Sequence, residues 1–470
     1  MSLSKSPNRA FYRALGLVIA GLSIGILILA LLVSTSGPRV RDVVVQNSSG
    51  NGISSVDQGL NVVFDRPISA TDDYASAVEI SPETDYTVSH RNQQLSVSFN
   101  QNLLSNTEYV LTVKPVLEDD LGNQMAGEYT YKFATAEPSF TYLERNYEPG
   151  AVDKVIQRAP LSQKSDILFG ARRIKSFARN DSYLAAVTQR ADHTDELRAV
   201  DLRTREESSV GIPHDVQVDN LSFSPVNNQF VFITRVVPNA GVDESYLKDY
   251  TDKLYRYDID AEQLQPVETL SDQGNILSAL YSRDGQALLY LTLDGEYYLT
   301  GATQATEPTL LGKYGESGGF DRTNTKLSFL SGSGVAIYDA QAKEWREVPN
   351  IHVGGRISTP TFLHNGDGLL YLKDPLEAKG DTVQVYTTNT EGKVEGQAVD
   401  LPQATRFFGD PVVSYDDRYV LIEATLGPQG DDDYVGNSKP KDARLVLYDR
   451  FDNKVLDSGT TRGVDPVWHR

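Results

Sequence analysis

The sequence predicts an all-β protein behind one N-terminal transmembrane helix: a β-sandwich, then a β-propeller of seven blades, with six as the alternative. Three observations predict it. A run of uncharged residues from Leu15 to Val33 follows three cations near the N-terminus. Apolar and polar residues then alternate with period two over residues 39–136. From Glu137 onward a strand-rich unit recurs at blade-like spacing to the end of the chain.

The first element is the helix. LGLVIAGLSIGILILALLV holds nineteen residues without a charge, about 28 Å of helix at 1.5 Å per residue. That length is close to the ~30 Å hydrocarbon core of a bilayer. Lys5, Arg9 and Arg13 precede it with no acid among residues 1–14, so the positive-inside rule keeps this tail in the cytoplasm. A cleaved signal peptide is the rival reading; its apolar core is shorter, and Val33-Ser34-Thr35 is a poor cleavage site. Both readings export the remainder. Gly21 and Gly25 form a GxxxG pair that permits close helix–helix approach.

Composition narrows the function classes. The 470 residues are 40% hydrophobic and 23% charged, enough for full-sized cores. The net charge of −20 becomes −23 once the three N-terminal cations are set aside, and a body this acidic repels nucleic acid. There is no cysteine, which excludes disulfides, thiolate metal sites, a cysteine nucleophile and a lipidated N-terminal cysteine. A secreted animal domain of this size usually carries disulfides, so their absence points to a bacterial surface.

The second element is the sandwich. Strand-like segments run from Arg41 to Val45, Leu60 to Phe64, Leu95 to Phe99, Tyr109 to Val113 and Tyr129 to Phe133, separated by Gly, Asn, Asp and Pro clusters. Phe64-Asp-Arg-Pro67, Leu103-Leu-Ser-Asn-Thr-Glu-Tyr109, Asp120-Leu-Gly-Asn123 and Phe133-Ala-Thr135 resemble, in that order, the bacterial Ig-like domain of surface-layer proteins. The resemblance implies a spacer or interaction module in which the Tyr109 hydroxyl bonds backbone across a strand corner. Asp119, Asp120 and Asn123 read as turn residues, because the ligand spacing of a calcium loop is missing.

The third element is the propeller. Phe177, Phe223, Tyr281, Phe320, Phe362, Val413 and Trp468 each open a unit, 39 to 58 residues apart. A turn and a continuous apolar strand follow the first six, as in Phe230-Val-Phe-Ile233 and Tyr419-Val-Leu-Ile422. An Asp recurs at the end of third strands, as in Leu254-Tyr-Arg-Tyr-Asp258 and Leu445-Val-Leu-Tyr-Asp449, though not in Val383-Gln-Val-Tyr386. The seventh unit has only its opening strand, so segments at 140–143, 154–157 and 166–169 are expected to complete it and close the ring. The Ser-Pro-Val-Asn and Ser-Arg-Asp-Gly turns, after an aromatic and before an apolar strand, resemble TolB-like propellers. That resemblance implies binding at a rim or central channel rather than a reaction.

No catalytic motif stands out. No α/β-hydrolase domain follows the propeller to carry a nucleophile elbow, and His-Glu-x-x-His and a phosphate loop are missing. His90, His193, His214, His352, His364 and His469 are scattered without ligand spacing. No catalytic residue, metal or cofactor is expected. Two acidic, Tyr-bearing loops at 237–252 and 426–443 join second to third strands and so share one face. They are candidate recognition loops through Asp243, Tyr246, Tyr250, Asp431, Asp433 and Tyr434, or else solvated insertions. Three adjacent acids at 431–433 point to different sides of an extended chain and make a poor cation site.

The sequence reading is therefore a single-pass, membrane-anchored extracellular binding or scaffold protein of a bacterial envelope. Its expected partners are the bilayer, through the helix, and an envelope protein or glycan, through the propeller; no nucleic acid is expected. The alternatives are an extracellular hydrolase or lyase with a propeller active site, and a purely structural spacer.

Overall fold

The computed structural model describes residues 9–34, 36–46, 48–49, 52–53, 56, 59–70, 73–236, 244–269, 275–302, 307–332, 334–349, 351, 356–366, 368–373, 383–393, 399–401, 406–425, 430–434 and 436–469. The chain divides into two compact units, Met1–Ala136 and Glu137–Arg470.

The first unit opens with one helix, Arg9–Ser34. Its side chains are described for residues 11–27, and large apolar ones stay exposed, among them Leu17 at 76% and Ile26 at 65%. Among the described residues, no helix is long and apolar enough to cross a membrane. The side chains of 28–33, which finish the stretch from Leu15 to Val33, lie outside the described residues.

Two antiparallel sheets follow. Val40–Val45, Gly59–Phe64, Gln94–Phe99 and Tyr86–Arg91 form one; Val78–Ser81, Glu108–Val113 and Tyr129–Ala134 form the other. Alternation sends Leu60, Val62, Phe64, Leu95, Val97, Leu111 and Val113 into a shared core. Tyr109 is buried, and its hydroxyl accepts the Leu104 N–H at 2.9 Å, the corner bond that the sequence suggests. Asp119 serves the next turn: it accepts the N–H of Leu121 and of Asn123, and the Asn123 amide. These bonds, the Asn123 amide first, hold its carboxyl down to about 2. Gly122 takes φ +78° in that turn, a conformation open to glycine. Among the described residues no group of acids or histidines is placed to hold a metal.

The second unit consists of seven antiparallel sheets of the described residues; five are built from four consecutive strands and a sixth from five, Arg406–Phe407 to Lys454–Arg462, which leaves one exception. The exception closes the ring: Val464–Trp468 pairs with Phe140–Glu144, which continues to Asp153–Arg158 and Ser165–Ala171. Phe140 lies opposite Trp468 in the ladder, their rings edge to face at 5.4 Å. Seven blades are thus present, and the terminal edges are consumed by each other.

Each opening aromatic sits at or near the end of a first strand and packs between blades, as Phe223 of Val216–Phe223 does in a cluster with Ala185, Val187, Leu197 and Ala199 of the preceding blade. The recurring Asp at the third-strand end has a local cause. Asp201, Asp339 and Asp449 each accept backbone N–H groups two and three residues on, which folds the following turn. Loops joining first to second and third to fourth strands emerge at one end of the blades. Those joining second to third strands, and one blade to the next, emerge at the other.

Candidate functional site

The sixth blade's second and third strands, Tyr419–Thr425 and Ala443–Asp449, are joined by the long acidic loop at 426–443. Rather than standing in solvent, its described part folds back over the ring. Asp431 bridges Pro440, and the Asp432 carboxylate accepts the N–H of Tyr434 and of Lys439, so the loop makes its own hairpin-like frame.

That frame is fastened to five residues elsewhere in the ring. Asp432 pairs with Arg145 at 2.6 Å, both side chains almost fully buried, in the second-to-third-strand loop of the closing blade. The Tyr434 hydroxyl donates to Asp153 at 2.5 Å, and Lys439 pairs with Asp465 of the last strand at 2.7 Å. Asp433 meets Arg173 at the start of the first blade. The Asn437 amide donates to the Lys175 carbonyl, which also takes the other guanidinium nitrogen of Arg145. Gly436, at φ +82°, passes so close to Asp219 and Lys175 that a Cβ would come within 2.7 Å of the Asp219 carboxylate. The loop is a strap that leaves the sixth blade, crosses the closing blade and ends against the first and second.

Beneath the strap the charges are paired. Lys175, buried in the first strand of the first blade, donates to Asp195, Asp219 and the Val218 carbonyl at 2.7–3.0 Å. Burial pushes the Asp195 carboxyl up despite Lys175. Glu423 lies under the strap's foot; it accepts the Asp465 N–H at 2.7 Å, and burial lifts its carboxyl to about 7. Burial opposes the charge on Lys439, but Asp465 and Glu423 outweigh it and hold the ammonium above its ordinary range.

Between strap, closing blade and first blade lies a cavity of about 590 Å³. Tyr434 forms part of its wall, its ring held between the guanidinium groups of Arg145 at 4.1 Å and Arg173 at 4.5 Å. Burial and the bond to Asp153 push its phenol well above the usual range. Tyr147, 40% exposed, presents a second ring. Exposed Arg172 and Lys441 line the same space, and their charged ends have no partner among the described residues. A second cavity, about 580 Å³, opens at the opposite strand ends around Tyr183, Arg179 and His469. There burial, with Arg179 alongside, holds the His469 imidazole well below its ordinary range.

Of the sequence candidates, Asp433 and Tyr434 line the first cavity. Tyr434 is buried, not presented to solvent, and Asp431 is exposed in the same hairpin. Tyr246 and Tyr250 lie elsewhere, on the short helix Glu244–Tyr250, where their rings meet at a tilt with centroids 5.0 Å apart and Tyr250 stacks on Tyr255 at 5.6 Å. Asp243 lies outside the described residues. Arg145, Tyr147, Asp153, Arg172 and Arg173 carry no motif and were not singled out from the sequence; the adjacent Arg172-Arg173 pair in an acidic body is the one local signal that could have pointed to this corner.

No curated protein matches the chain. Solved structures similar to it include TolB from Acinetobacter baumannii, at 13% identity and TM-score 0.39, covering 68% of this chain and 78% of that one. Another is a putative TolB from Agrobacterium tumefaciens, at 15% identity and TM-score 0.38, covering 59% of this chain and 97% of that one. Residues 34–135 match the family model of the bacterial Ig-like domain, so the sandwich of this chain is a bacterial Ig-like domain.

Proposed function

We propose that this chain is a membrane-anchored extracellular binding protein of a bacterial cell envelope, and that the cavity beside the strap takes part of an envelope protein or glycan. The observation that carries the binding role is the built cavity itself. Its wall ring is fixed by a hydrogen bond and two guanidinium groups, while the charges of Arg172 and Lys441 are left for something else. A fixed frame with unspent polar groups suits recognition, because little ordering is left to do on binding.

The anchor rests on the nineteen uncharged residues behind Lys5, Arg9 and Arg13, and on the exposed apolar side chains of the helix. The acidic remainder favours a partner other than nucleic acid.

A second reading, an extracellular hydrolase or lyase, draws on Glu423, a carboxyl lifted to about 7 and so suited to proton transfer near neutral pH. Against it, Glu423 is buried beneath the strap and does not line the cavity. Binding is the better supported of the two.

The test is capture from envelope extract on the immobilised full-length protein in detergent. Retention of one component, and its loss when Ala191→Trp fills the cavity wall, supports the proposal. Equal recovery by both proteins, or none by either, returns the chain to a spacer.

A further inference from the structure

The cavity's lining also bears on what it binds. Its larger side chains are of three kinds: cations, acids with amides, and tyrosine rings. Apart from the tyrosines, its apolar members are small, Pro149, Ala151 and Ala191. A protein partner is normally anchored by large apolar or aromatic side chains in a dry pocket, and no wall here offers a Leu, Ile, Val or Phe to receive one. A bare phosphate or sulfate is disfavoured by Glu148 and Asp433, whose carboxylates share the space with the cations.

A sugar acid satisfies all three kinds at once. Its carboxylate is matched by Arg172 and Lys441, the two lining cations whose charged ends have neither an ion pair nor a hydrogen bond among the described residues, whereas Arg190 donates to Thr194 and to the Asp195 carbonyl. Its hydroxyl groups both donate and accept, and so use carboxylates such as Glu148 and Asp433 beside the amide of Gln189. Its C–H face suits the exposed ring of Tyr147. The volume, about 590 Å³, lies within the ~300–1,000 Å³ of small-ligand sites. Arg173 stays in the frame, since it is held by Asp433 and the Gln189 side-chain oxygen.

We propose that this cavity binds a carboxylated sugar unit of an acidic polysaccharide, with Arg172 and Lys441 taking the carboxylate. This rests on the binding reading of the same cavity. The experiment is calorimetric titration of the full-length protein in detergent, at fixed ionic strength, with a glucuronic acid tetramer, a glucose tetramer and tetraglutamate. The glucuronic acid tetramer is expected to bind; the glucose tetramer, which lacks the charge-assisted bond, and tetraglutamate, which lacks the hydroxyl groups and the C–H face, are each expected to bind at least about tenfold more weakly. Arg172→Ala and Lys441→Ala, exposed positions that need not disturb folding, are each expected to weaken it about tenfold. Lys454→Ala, on the sixth blade's outer strand, is expected to leave it unchanged.

Equal binding of the glucose tetramer overturns the role of the carboxylate, and equal binding of tetraglutamate overturns the sugar. No binding by any probe, or no effect of the two cation variants, overturns the ligand class. If Ala191→Trp still abolishes envelope capture in that case, the cavity's binding role stands and only this ligand falls.

Discussion

Arg145 and Asp432 stand 287 positions apart in the sequence and 2.6 Å apart in the fold, both closed off from solvent. Their pair ties the strap of the sixth blade to the closing blade, where the two ends of the propeller chain meet. Removing one member leaves the other charge buried without compensation, at a cost of about 3–5 kcal/mol. Arg145→Ala is expected to lower the propeller's melting temperature and to speed amide exchange at 430–443. Arg145→Met with Asp432→Leu is expected to recover much of the loss. A single variant no worse than a surface substitution would show that the strap is held by something else.

Tyr434 tests the cavity wall separately. Tyr434→Phe keeps the ring between Arg145 and Arg173 but removes the donor to Asp153, which retains the N–H groups of Asn146 and Ile174. The expected loss is about 1.5–3 kcal/mol, that of a hydrogen bond to a charged group. Chemical denaturation followed by near-ultraviolet circular dichroism reads it.

Glu423 makes stability depend on pH. Its folded carboxyl titrates near 7, above the ordinary carboxylate range, so between those values the folded state holds more protons than the unfolded one. Stability from this group is therefore present in mild acid and lost as pH rises through about 7. Glu423→Gln is expected to narrow the difference in melting temperature between pH 5 and pH 8, mainly by raising the value at pH 8. An unchanged difference would place the pH dependence on other groups.

The Ig-like unit offers an independent test. Tyr109→Phe leaves the Leu104 N–H without its acceptor in a half-buried corner, at a cost of about 1–3 kcal/mol. The transition assigned to the first unit is expected to shift to lower temperature, and that of the propeller to stay. A shift of the propeller transition instead would contradict the separation of the two units.

What the sequence made legible was whatever is written locally or repeated. The opening aromatics, the apolar second strands and the Asp that turns the chain after several third strands recur within one blade's length, so periodicity reveals them. Closure of the ring was legible because a lone opening strand at 464–468 needs partners and 140–171 supplies them. The strands Val78–Ser81 and Tyr86–Arg91 were harder, being short and flanked by polar residues. The strap was not legible. Asp432 and Tyr434 look like members of a solvated acidic run, and only the fold brings Arg145 and Asp153 to them. An acidic loop is stabilised by burial once cations from two other blades surround it, and nothing near residue 432 announces those cations.

The most direct measurement is protease accessibility in the native cell. If the helix anchors the protein and the propeller faces outward, protease added to intact cells will degrade the mass beyond residue 39 and leave a short fragment with the membrane. A propeller that survives in intact cells, and is cut only after permeabilisation, would contradict that placement and remove an envelope ligand from reach.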